Sequence, residues 1–90
     1  MKELFDKTFS ELTTSEVLEI RGLGDKQLSA KQLTMLWSVV NYRYENFLPT
    51  VTYTDKAQYD LCKAINTHPE LENLAYAIVG RLWDMGVVRE

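Results

Sequence analysis

Ninety residues with a net charge of −3 and a pI near 5.1 fit one small domain, residues 1–90. The mild acidity argues against a general nucleic-acid binder, which would carry a basic face, and is too slight for an acidic nucleic-acid mimic. Hydrophobic residues make up 46% and charged residues 26% of the chain, the balance of a folded globular protein. A chain this short buries only about 60% of its unfolded surface, so its core is marginal unless packing or oligomerisation adds to it. A homo-oligomer therefore stays open.

Cys62 is the only cysteine, which excludes an intramolecular disulfide and fits a reducing, cytoplasmic setting. With His68 the only histidine, a zinc site would need both of these residues plus carboxylates, so neither a metal nor another cofactor is expected. Residues 1–10 mix charged and apolar side chains without the continuous apolar core of a signal peptide. No apolar run approaches the ~20 residues of a membrane span.

Leu4, Phe5, Phe9 and Leu12 recur at helical spacing and predict a first helix over residues 2–10. Thr13 and Glu16 form a capping-box pattern for a short helix through Ile20; a strand over residues 16–23 competes, since Val17, Leu18 and Ile20 suit either state. Gly22 and Gly24 then open a loop. Ser29 and Gln32 make a second box ahead of a stripe of Leu33, Leu36, Trp37, Val40 and Tyr44, which predicts a helix to about Phe47. Pro49 stops it. The β-branched residues of 50–54 predict a short extended segment.

Asp55 and Gln58 are placed to cap a helix reaching Asn66. Thr67 and Glu70, with Pro69 in the first turn, begin the last helix. Its stripe is Leu71, Leu74, Ala75, Ile78, Leu82 and Met85, and Gly86 is its terminal glycine. Gly80 lies inside this helix at a cost of roughly 1 kcal/mol relative to alanine, which points either to another backbone or a partner packed closely there, or to loose packing. Together these elements predict a mainly α fold, a compact bundle of four to five helices with at most a short two-stranded β element. The alternative is an α/β arrangement.

Catalytic groupings are scarce, and no enzymatic activity is expected. His68 reads as a surface residue at a helix start rather than a general base. Cys62 has no second histidine to activate it. Asp55 with Asp60, and Glu70 with Glu72, could be proposed as paired carboxylates, but the first of each pair reads as a helix-start acid interacting with the macrodipole. Gly22-Leu23-Gly24 lacks the GK[ST] that completes a phosphate-binding loop. Tyr42 and Arg43 fall off the predicted stripe, and an exposed Tyr–Arg pair suits a protein interface, where both residue types are enriched.

The stretch Asn41-Tyr42-Arg43-Tyr44-Glu45-Asn46-Phe47-Leu48-Pro49-Thr50 resembles the "NYRYEN-x-LPT" segment of the DnaC/IstB helicase-loader ATPases, a branch of the AAA+ superfamily. Residues 17–24 stand where those loaders have a Walker B strand followed by "DDLG". Residues 77–85 are similar to their "AIxSRLxEM" helix. The resemblance runs from about Thr13 to Gly86 and covers the later half of a loader. It implies the α/β alternative, as a remnant of an AAA+ core, and places Arg81 on the arginine that loaders present to a neighbouring subunit.

There is no Walker A segment. Arg21 and Gly22 replace the Walker B acids, and Thr52, Tyr53 and Thr54 occupy the neighbourhood of the sensor asparagine. ATP hydrolysis is not expected of such a chain. The expected function is that of a non-catalytic, phage- or mobile-element-type protein that binds a helicase loader or replicative helicase through Tyr42, Arg43 and Arg81 and modulates or inhibits it. An inhibitor of a nuclease-based host defence complex, anti-CRISPR-like, is the alternative. A nucleic-acid-binding module comes third.

Overall fold

The computed structural model describes residues 2–90, with side chains from Leu4 onward. In chain order the elements are α1 (Lys2–Phe5), α2 (Phe9–Thr14), β1 (Leu18–Arg21), α3 (Ala30–Glu45), β2 (Thr50–Thr54), α4 (Gln58–Ile65), a 3-10 turn (Pro69–Leu71), α5 (Glu72–Met85) and β3 (Val87–Arg89). The predicted first helix is divided, because Thr8 accepts from the Glu11 backbone while Glu11 reaches back to the Thr8 N–H, and this capping box starts α2 afresh. The box expected at Thr13 does not form; residues 18–21 take the strand alternative.

The three strands form one parallel sheet in the order β1-β2-β3. This corrects the expected helical bundle with at most two strands. Helices dominate, but they cover a parallel α/β sheet. Parallel crossovers are right-handed as a rule, and two that step in the same direction then place their helices on the same face. Leu18, Ile20, Thr50, Thr52 and Thr54 accordingly point into the core, whereas Glu19, Arg21 and Val88 on the opposite face are exposed, and Val51 and Tyr53 there are half-buried. One side of the sheet is thus bare, although parallel sheets are usually covered on both sides.

The Ser29–Gln32 box is formed at the start of α3, with both reciprocal hydrogen bonds. The other two predicted boxes are not. Ala57 caps α4 without a side-chain bond. Before the 3-10 turn the Asn66 amide bonds His68 through both N–H and C=O, and Thr67 instead donates to Gln27. The core is built from Leu33, Leu36, Val39 and Val40 of α3, Leu61 and Ile65 of α4, and Ala75, Ile78, Val79 and Leu82 of α5. Trp37 and Leu74, expected inside, only pack partly buried against it.

Gly86 ends α5 with φ 138° and donates its N–H to the Leu82 carbonyl. A β-carbon added at Gly80 would meet nothing within 4 Å outside its own helix backbone, so among the described residues no other backbone comes that close. Gly80→Ala is therefore expected to stabilise the domain by about 1 kcal/mol through helix propensity; a urea titration with an unchanged or lowered midpoint would contradict it.

A candidate interaction surface on helices α3 and α5

Helix α3 ends in a Schellman arrangement, with the Leu48 N–H donating to the Arg43 carbonyl and the Phe47 N–H to the Tyr44 carbonyl. The residue at the left-handed position of this motif is ordinarily glycine. Here it is Phe47, at φ 55°, the only described residue other than glycine with positive φ. A β-carbon in that region costs roughly 1–2 kcal/mol. The same phenylalanine is 92% exposed, so no burial within the chain offsets the strain. It stands at the rim of a groove whose walls include Tyr44, Leu48, Pro49, Asp84 and Met85.

Arg43, expected to face a partner, is instead completely buried. It lies three residues after Val40 and seven after Leu36, which puts it on the inward side of α3. Its Nε donates to the Thr50 hydroxyl at 2.8 Å, Nη1 to the carbonyls of Leu12 and Ser15 at 2.9 and 3.0 Å, and Nη2 to the Pro49 carbonyl at 2.7 Å. Burial pushes the guanidinium below its ordinary pKa. Three of the oxygens it binds are carbonyls at the end of α2 and before β2, and helix-end carbonyls such as that of Leu12 lack an intrahelical donor. Arg43 is thus a clamp joining α2, α3 and the start of β2, not a contact residue.

Arg81 and Tyr42 do reach the surface region. Tyr42 is 43% exposed and meets Phe9 edge-on, with ring centroids 5.8 Å apart. Arg81 is half-buried, with its guanidinium 4.7 Å from the Trp37 ring centre and 5.2 Å from that of Tyr44. The expected alternative of a bridge to Asp84 or Glu45 is not formed among the described ion pairs. Cation–π contacts hold the arginine while its Nε remains without an acceptor. Tyr44 and Phe47 add exposed aromatic area on the α5 side of α3, the side-chain chemistry that anchors protein interfaces, whereas Tyr42 and Phe9 are exposed on the α2 side of that helix and do not join them.

The other sequence candidates do not gather. Cys62 is buried, and burial pushes its thiol up, away from the reactive thiolate. His68 meets Glu70 on the surface, Glu72 meets Lys63 and Tyr76, and Asp55 meets Lys56. Gly22 and Gly24 are turn residues with positive φ; a β-carbon on Gly24 would come within 2.9 Å of Leu61. Among the described residues no three His, Cys, Asp or Glu side chains converge as metal ligands, and no helix is long and apolar enough to cross a membrane.

Sequence reasoning missed Phe47 by carrying α3 through it. The signal was present in Asn46-Phe47-Leu48-Pro49, an aromatic residue stranded between a helix-ending asparagine and a helix-stopping proline. The chain matches no family model, no curated protein and no solved structure in the comparisons made.

Proposed function

We propose that this chain is a non-catalytic protein-binding module of phage or mobile-element type, related to a truncated helicase loader, that modulates or inhibits a replicative helicase or its loader. Its contact surface is the α3–α5 region of Tyr44, Phe47 and Arg81. The observation that carries this reading is Phe47: an aromatic side chain displayed to solvent at a backbone position where glycine would be less strained. Strain of that kind, unrelieved within the fold, marks a residue kept for something outside it. The parallel β1–α3–β2 unit is in keeping with the strand–helix–strand order that the loader resemblance implies.

The test measures binding of the purified chain to a purified bacterial replicative helicase and to its loader. Phe47→Gly should raise the stability of the free domain by about 1 kcal/mol by relieving the left-handed strain, while weakening binding about tenfold or more if Phe47 is an anchor. Arg81→Ala should also weaken binding. The reading fails if neither protein binds, or if Phe47→Gly binds as tightly as the parent chain.

A further inference from the structure

β1 is an edge strand of the sheet, and its outward side has an arrangement of charge that fits a second copy of itself. The Leu18 N–H donates inward to the Pro49 carbonyl. By the alternation of a parallel ladder, Leu18 and Ile20 direct their backbone groups to β2, and Glu19 and Arg21 direct theirs outward. The side chains of Glu19 and Arg21 both lie on the bare face of the sheet, exposed by 51% and 60%.

We infer that β1 is a self-pairing edge, joining two copies antiparallel about Ile20 into one continuous sheet. In this register Glu19 stands opposite Arg21 of the second copy, and Arg21 opposite its Glu19. These are the residues whose main-chain N–H and C=O groups have no partner among the described residues, so each opposed couple exchanges two hydrogen bonds and matches opposite charges. Sliding by two residues in either direction brings Glu19 against Glu19 or Arg21 against Arg21. Sliding by one loses the match between the two sets of outward groups. Charge and backbone therefore select a single register.

The other edge lacks this property. The Thr52 N–H bonds to the Gly86 carbonyl and the Glu90 N–H to the Thr54 carbonyl, which turns the backbones of Val87 and Arg89 outward. Self-pairing of β3 would set Val87 against Arg89, with no charge match. On β1, the present contacts of Arg21 are a 3.4 Å approach to Glu19, a 3.9 Å approach to Glu90 and a stack 3.7 Å above the Tyr53 ring. These ion pairs are solvent-exposed, so exchanging them for cross-strand partners costs little. A strand of four residues buries much less than the ~800 Å² per partner of a stable interface. The pairing is thus a weak, concentration-dependent equilibrium.

Sedimentation equilibrium across a concentration series up to the solubility limit tests this directly, with circular dichroism confirming that each variant is folded. The parent chain should pass from monomer to dimer. Glu19→Arg and Arg21→Glu should each remain monomeric, because every cross-strand pair then carries like charges. An equimolar mixture of the two variants should dimerise again, as should the chain carrying both substitutions. A parent chain that stays monomeric, single variants that dimerise like the parent, or a mixture that fails to associate would each overturn the assignment and leave the edge charges as guards against strand pairing. The residues varied are outside the α3–α5 surface, so the outcome is independent of the proposed function.

Discussion

Arg43→Met is expected to destabilise the domain by about 2–5 kcal/mol, because its neutral acceptors remain behind without their shared donor. Methionine fills much of the volume, so the loss is one of hydrogen bonding rather than of packing. The carbonyls of Leu12, Ser15 and Pro49 and the Thr50 hydroxyl would lose their charged donor. Among the described residues only the Pro49 carbonyl keeps another, the Leu18 N–H, and each buried polar group left unpaired costs about 1–3 kcal/mol. A small domain has only about 5–15 kcal/mol of stability in total, so the variant should be close to unfolding at body temperature. Arg43→Lys separates charge from geometry. One ammonium cannot span acceptors on both α2 and the β2 entry, so lysine should recover less than half of the loss. Guanidinium denaturation midpoints within 1 kcal/mol of the parent for either variant, judged on the ~1 kcal/mol scale of one ordinary hydrogen bond, would show that the clamp is not structural.

Ile78→Ala should cost about 2–5 kcal/mol. Ile78 is fully buried in α5, the helix that packs against α3, α4 and β2 together. A void there cannot be filled by movement of one neighbour alone. Leu74→Ala, one turn earlier, should cost clearly less, because Leu74 is only partly buried at the margin of the core. Thermal denaturation of the pair checks the order, and a larger loss at Leu74 than at Ile78 would mean that α5 is rotated from the orientation described.

The helix stripes were legible in part. Leu33, Leu36 and Val40 of α3, and Ala75, Ile78 and Leu82 of α5, repeat at the spacing that buries one face, and the Ser29–Gln32 box located the start of α3. The rotation of each stripe was less clear. The 3-and-4 spacing put Trp37 and Tyr44 on the inward stripe, whereas Val39 and Arg43 are the residues buried there. Nothing local announces a buried arginine, because its acceptors come from residues 12, 15, 49 and 50, brought together only by the fold. Residues 18–21 could be helix or strand until β2 offered its edge. β3 was invisible because three residues after a glycine carry no period, and it is a strand only because β2 has a second edge to pair. At the candidate surface, Arg81 was suggested by the resemblance, and Phe47 was hidden by a helix boundary misplaced by two residues.

Hydrogen exchange of the chain, free and bound to a purified replicative helicase or its loader, tests the proposed contact surface most directly. On the α3–α5 reading, binding slows exchange in residues 42–48 and 81–85 and leaves the bare-face residues 19–21 and 51–53 unchanged. Protection confined to those strand residues, or no change at any residue at a saturating concentration of either protein, would contradict it.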